Sequence, residues 1–144
     1  YASPSVFAGK VYLGDLDGTF HAFEATTGEE VWQVKIGKPI VSSAAIQDGT
    51  VYFGSLDHHL HALDAQTGEQ LWKFKTNHEV YSSPIIVENV IYFSSDDGSL
   101  YAVDTHTGEK LWHYESEGFV GSSPAVANDV VYFGSYDGSV YALD

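Results

Sequence analysis

Every fortieth residue of this chain repeats the same chemistry. Trp32, Trp72 and Trp112 stand 40 apart, as do Tyr12, Tyr52, Tyr92 and Tyr132, and as do Ala22, Ala62, Ala102 and Ala142. The triplet Thr-Gly-Glu returns in the same register at Thr27, Thr67 and Thr107. Residues 41–80 and 81–120 align without a gap and share 16 identities, which fall on aromatic and turn positions. The repeating object is therefore a small supersecondary unit. A unit of this size cannot bury its own apolar faces and must stack on its neighbours. The 144 residues divide into units 1–40, 41–80 and 81–120 and a shorter stretch, 121–144.

Each unit reads as four short strands, A to D. In the third, strand A is Pro84-Ile85-Ile86-Val87, B is Val90-Ile91-Tyr92-Phe93, C is Leu100-Tyr101-Ala102-Val103 and D is Leu111-Trp112-His113-Tyr114. All four are rich in β-branched and aromatic residues and are bounded by turn residues. Asp48-Gly49 and Asn128-Asp129 mark the A–B turn, and Thr27-Gly28, Thr67-Gly68 and Thr107-Gly108 mark the C–D turn. Asp17-Gly18, Asp97-Gly98 and Asp137-Gly138 mark the B–C hairpin, where Asp-Gly predicts a type I′ turn. Strands A to C are nearly continuous apolar runs, which need cover on both faces. Four-stranded antiparallel sheets covered on both faces and repeated along a chain are propeller blades. The expected fold is an all-β propeller of four-stranded antiparallel blades: 144 residues at 40 per unit make about 3.6 blades, with 121–144 supplying strands A to C of the fourth. Such a remainder is read as part of a larger ring, as half of a ring that a second copy completes, or as four blades closing alone. The first two are favoured, because open blade faces are large apolar patches.

Composition excludes several classes of function. Six Lys, no Arg and twenty acids give a net charge of −14, the wrong sign for a phosphate backbone, so no nucleic-acid partner is expected. No Cys is present, which removes disulfides, thiolate metal sites and a cysteine nucleophile. No apolar run approaches the roughly 18 residues of a membrane span.

The segment Ala62-Leu63-Asp64-Ala65-Gln66-Thr67-Gly68-Glu69-Gln70-Leu71-Trp72 resembles the tryptophan-docking motif of the pyrroloquinoline-quinone-type propeller repeats. Ala102 to Trp112 matches it again through Asp104, Thr107 and Gly108. Ala22 to Trp32, with Gly28, matches with one departure, Glu24 in place of Asp. The resemblance implies that each Trp lies against the next blade's motif, so these residues are read as structural. It also implies an extracytoplasmic protein, periplasmic or at the cell surface. Some members of this family hold pyrroloquinoline quinone and Ca²⁺ on the propeller axis and sandwich the quinone between a Trp and paired cysteines. Here there is no Cys, and the three Trp are the motif residues. No cofactor is therefore expected in this chain, and no catalytic residue is assigned.

Two function classes follow. The favoured one is a non-catalytic binding or scaffold module that presents loops to a protein or peptide. The loop residues that vary between units are its candidate surface: Lys38, Pro39, His58, His59, Asn77, His78, Phe119 and Tyr136. The alternative is a segment of a pyrroloquinoline quinone-dependent alcohol or sugar dehydrogenase, which would bring the quinone and calcium. His58, His59 and His78 are weak candidate ligands for a borderline metal such as Zn²⁺, with variation at an exposed loop as the plainer reading. His58 also stands where its sister units have the turn Gly. Its hairpin must either change turn type or accept a strained backbone. The Ser pairs at Ser42, Ser82 and Ser122 recur at the 40-residue period, which points to structure and not to a nucleophile.

Overall fold

The computed structural model describes residues 2–144. The first blade is β1 (Ser5–Phe7), β2 (Lys10–Gly14), β3 (Thr19–Glu24) and β4 (Glu30–Lys35). The second is β5 (Ala45–Gln47), β6 (Thr50–Ser55), β7 (His59–Asp64) and β8 (Gln70–Lys75). The third is β9 (Ile85–Val87), β10 (Val90–Ser95), β11 (Ser99–Asp104) and β12 (Lys110–Glu115). The fourth is β13 (Ala125–Ala127), β14 (Val130–Gly134) and β15 (Val140–Leu143). Each sheet is an antiparallel meander in chain order, three of four strands and one of three. This is the propeller architecture expected from the repeat. Between blades, β1 meets β5, β5 meets β9 and β9 meets β13. These short first strands therefore line the axis, and β4, β8 and β12 lie outermost.

The core is divided among the seams between blades. Tyr12, Phe20, Ala22, Ile40, Val51, Phe53 and Leu63 are buried between the first two. Phe20 and Phe53 stack face to face there, with ring centroids 4.0 Å apart. Leu60, Val80, Ile91, Phe93 and Val103 fill the second seam, and Leu100, Val120, Val131 and Phe133 the third. Alternate residues of one strand thus enter different seams: Leu63 faces back and Leu60 forward. This is why these strands carry apolar residues at consecutive positions. Ala22, Ala62 and Ala102 pair directly with Trp32, Trp72 and Trp112 on the adjacent strand. Directly opposed Cβ atoms are only about 4.5–5.5 Å apart, so a small residue leaves the indole its space.

One turn expectation is corrected. The type I′ pattern of two successive positive φ values belongs instead to three of the four A–B turns: Ala8 and Gly9 (47° and 76°), Asp48 and Gly49 (49° and 75°), Asn128 and Asp129 (51° and 65°); in the third blade only Glu88, at 54°, is positive. In the B–C hairpins only the third loop residue does: Gly18 at 79°, Gly98 at 90° and Gly138 at 90°. One left-handed residue ending a three-residue loop is the type I turn with a bulge. The Asp before it serves by its side chain: Asp57, Asp97 and Asp137 accept from the amides of His59 (3.1 Å), Ser99 (3.0 Å) and Ser139 (2.8 Å). The choice left open at His58 resolves to strain, because it keeps the glycine conformation, at φ 70°.

Candidate functional site

The recurrent polar residues are committed to building the blades. Asp64 Oδ1 accepts from the amides of Gln66 (2.9 Å) and Thr67 (2.8 Å) and from the Thr67 hydroxyl (3.0 Å). Asp104 does the same with His106 and Thr107. Hydrogen bonds from the Thr67 and Thr107 backbones, first among their causes, lower both carboxyl pKa values. Glu24, one methylene longer, makes none of these bonds; its unit keeps only the Glu29 amide on the Thr27 hydroxyl at 3.2 Å. The Trp32 indole donates to the Ala65 carbonyl of the next blade at 3.2 Å, and Trp72 to that of Thr105 at 3.1 Å. The hydroxyls of Tyr12 and Tyr52 donate to the same two carbonyls, at 2.9 and 3.2 Å. Gly68 and Gly108 face the rings: a Cβ built on either would lie 2.7 Å from an indole carbon of Trp32 or Trp72. Trp112 is 38% exposed.

The serine pairs form a ladder around the axis. The amide of Ser3 donates to Ser43 Oγ, that of Ser43 to Ser83 Oγ and that of Ser83 to Ser123 Oγ, at 2.8–2.9 Å. Ser42, Ser82 and Ser122 accept from the amides of Gly54, Ser94 and Gly134 within their own blades. None of these contacts gives a serine a general base, so the arrangement ties inner strands together and does not prepare a nucleophile.

The three candidate histidines separate. His58 and His78 approach each other, with ring centroids 6.1 Å apart, on either side of Glu79 at 3.8 and 3.6 Å. His59 turns instead toward Asp57 and His61, because residues 59 and 61 share one face of β7. His61 Nε2 lies 2.9 Å from Asp57 Oδ2, and His59 Nδ1 is 3.5 Å from the same oxygen. Ligand atoms of Asp57, His59 and His61 all lie within 4.8 Å of one another, so these three could hold a divalent ion. Asp57 and His61 escaped the sequence reading because the equivalent pair elsewhere is a structural Tyr–Asp contact. Tyr101 donates to Asp97 and Tyr141 to Asp137, both at 2.7 Å. A metal would also sit beside Lys73 and Lys75, the cross-strand partners of His61 and His59. In the first blade His21 bridges two carboxylates, Glu30 at 2.6 Å and Asp15 at 3.0 Å.

The residues present do not fit a quinone cofactor. Trp32, Trp72 and Trp112 lie on the outermost strands β4, β8 and β12, away from the axis. One carboxylate in each of these B–C turns is engaged locally: Asp15 holds Thr19 and His21, Asp97 holds Ser99 and Tyr101, and Asp137 holds Ser139 and Tyr141.

The variable loop residues gather on the rim formed by the B–C hairpins and D–A connections. Lys38 and Pro39 close the first gap, where the Pro39 carbonyl accepts from Leu56 at 3.0 Å. Asn77 spans the second, its amide donating to Asp97 at 3.0 Å. Between the third and fourth blades the rim opens into two adjoining hollows of about 410 and 310 Å³. Both are walled by Phe119 and Tyr136, 60% and 81% exposed. Tyr81 and Asp96 complete the inner hollow; Asp97, Glu117 and Asp137 edge the outer one. Neither Tyr81 nor Asp96 is among the loop residues that the sequence assigns to this surface. The usable signal is at Asp96, which breaks the repeat by standing where its sisters have Leu16, Leu56 and Tyr136; Tyr81 shares its position with Tyr1 and carries no such signal.

No helix among the described residues is long and apolar enough to cross a membrane. No curated protein matches the chain in sequence. Among solved structures it is similar to BamB from Moraxella catarrhalis, with 22% identity and a TM-score of 0.90 over 99% of this chain and 46% of that one. It is similar to the computationally designed Ika4 protein, with 19% identity and a TM-score of 0.87 over 99% of this chain and 88% of that one. It is also similar to quinohemoprotein alcohol dehydrogenase from Comamonas testosteroni, with 20% identity and a TM-score of 0.82, covering 93% of this chain and 28% of the enzyme. The chain thus spans less than half the length of the natural proteins it resembles. The family model described as outer membrane protein assembly factor BamB matches residues 6–144, and with the blade geometry above it places this chain in the BamB-like family of pyrroloquinoline-quinone-type repeat propellers.

Proposed function

We propose that this chain is a non-catalytic propeller module that presents its B–C and D–A loops to a protein or peptide. One observation carries the reading. The repeating polar groups are consumed by blade construction, while the residues that break the repeat collect on one rim and include the exposed rings of Phe119 and Tyr136. Exposed aromatics on a rigid frame are the usual anchors of protein recognition. The test is to select from a random peptide display library on the immobilised chain and re-measure the hits on the double variant Phe119→Ser, Tyr136→Ser. Hits that lose binding support the rim. Hits that bind the double variant equally well refute it. Dye-linked alcohol or sugar oxidation after addition of pyrroloquinoline quinone and Ca²⁺ would favour the dehydrogenase reading instead.

A second partner reading, association with further blades or with a second copy that completes a ring, rests on the apolar face of the fourth blade. Tyr132 and Val140 are 41% and 79% exposed there. A solution mass twice the 15.7 kDa of the chain supports self-association, and a mass of 15.7 kDa at high salt opposes it.

A further inference from the structure

We propose that the hollow between the third and fourth blades is a receptor for an arginine side chain of a basic peptide, with Asp96 as its anionic anchor and the rings of Tyr81, Phe119 and Tyr136 as its walls. This inference rests on the reading of the rim as a peptide-presenting surface and names the chemistry of the peptide.

Asp96 is the starting point. Its neighbours in the hairpins, Asp97 and Asp137, have their carboxylates engaged by Tyr101 and Ser99 and by Tyr141 and Ser139. The Asp96 carboxylate accepts no hydrogen bond among the described residues, although its backbone amide is tied to the Glu79 carbonyl at 3.0 Å. It is half-buried at the floor of the inner hollow beside Gly121, where an added Cβ would lie 3.4 Å from Asp96 Oδ1. Burial pushes the Asp96 carboxyl above its usual range, and Glu79 and Asp97 push it further, against a smaller opposing effect of His78. An unpaired, partly desolvated carboxylate in a field of like charge is stabilised by any cation that enters.

The walls select the kind of cation. No Lys lines either hollow, while Asp96, Asp97, Glu117 and Asp137 do. An acidic or phosphorylated segment is therefore repelled. The remaining lining is aromatic and glycine-rich, so a flat guanidinium can stack on a ring while donating two parallel hydrogen bonds to Asp96. A hydrated ammonium ion lacks the planar match, and a calcium ion would need several carboxylate oxygens at one point, whereas Asp96 is the one carboxylate that lines the inner hollow. The two hollows share Phe119 and Tyr136 as walls and open along the rim. A chain with an apolar residue next to its arginine fits that shape better than a small free cation, which would fill only the inner part.

The experiment uses fluorescence anisotropy with a short, labelled, end-capped peptide carrying two arginines about one leucine, and the same peptide with citrulline for arginine. The chain should bind the arginine form and lose roughly tenfold or more with citrulline, with Asp96→Asn, or with the double variant Phe119→Ser, Tyr136→Ser. Asp48→Asn, on the opposite rim, removes the same charge and should leave binding within roughly twofold. Asp96→Asn should also raise the melting temperature in the absence of peptide, since it removes a repelled carboxylate; this shows that the variant is folded. Equal loss for Asp96→Asn and Asp48→Asn would reduce the effect to net charge and overturn the proposal. Equal binding of the arginine and citrulline peptides, still lost in the aromatic double variant, would overturn the arginine receptor and leave the peptide-presenting rim standing. If neither peptide binds, the arginine receptor is refuted, while the display selection decides the broader reading separately. Free guanidinium that binds while the peptide does not would refute the peptide as occupant.

Discussion

Gly108→Ala should destabilise the protein far more than the same change at Gly28, although the two glycines hold the same place in the repeat. Both have left-handed backbones, with φ of 71° at Gly108 and 74° at Gly28. An alanine in that region costs about 1–2 kcal/mol at either site. The gain from a less flexible unfolded chain is also common to both and cancels in the comparison. The difference lies in what the new methyl group meets. At Gly28 nothing lies within 4 Å, while at Gly108 it would sit 2.7 Å from two carbons of the Trp72 ring and 3.0 Å from a third. Trp72 is held by its hydrogen bond to Thr105, so it cannot withdraw without leaving a donor unpaired. Overpacking of this kind costs about 1–3 kcal/mol, which brings Gly108→Ala to about 2–5 kcal/mol. The gap of about 1–3 kcal/mol corresponds to a melting temperature roughly 3–9 °C lower than that of Gly28→Ala. Urea unfolding followed by far-ultraviolet circular dichroism and by tryptophan fluorescence measures it. Equal losses at the two sites would show that the indole does not bear on the next blade's turn, and the account of the seams would fall with it.

Glu24→Asp should stabilise the first blade by about 1 kcal/mol, because the shorter side chain can accept from the turn amides as Asp64 and Asp104 do. The exposed Lys10–Glu24 pair it loses, at 3.7 Å, contributes little; a thermal melt reports the balance, and a lower midpoint would contradict the capping role. His58→Gly should raise stability by up to about 1 kcal/mol by relieving the positive φ of 70°, and no gain in chemical denaturation would mean that the His78 and Glu79 contacts outweigh the strain. His21 is half-buried, which opposes its charge, but Asp15 and Glu30 outweigh that and raise its pKa above 6.5. Its contribution is therefore full below pH 6.5 and is lost as pH rises through the higher folded value. His21→Gln should flatten that part of the stability profile, and an unchanged slope would assign it to another group.

Blade architecture was legible at once because its signals are local and repeat. The Asp–Thr–Gly turn, the Ala–Trp pair and the apolar strands each act within a few residues or at the same offset into the next blade, so the 40-residue period exposes them. The type of the B–C turn was misread for the same reason in reverse. Asp-Gly is compatible with both hairpin types, and the strand register, Gly14 opposite Phe20, decides between them by leaving three residues in the loop above the Asp15–Thr19 pair. The histidines show a further limit. Adjacent in sequence, His58 and His59 point to different partners, because one ends a turn with a left-handed backbone and the other begins a strand whose alternation sets it beside His61.

The chain's pattern was enough to establish strand number, strand order and the antiparallel blades. These follow from periodicity and turn chemistry carried by near neighbours. The rim hollow was not accessible in the same way. Tyr81, Asp96, Phe119 and Tyr136 come from different hairpins and connections, and no periodic signal links them. They meet because stacking the third blade on the fourth brings those loops to one edge. The unpaired state of Asp96 is visible only once every hydrogen-bonding group around it has been placed.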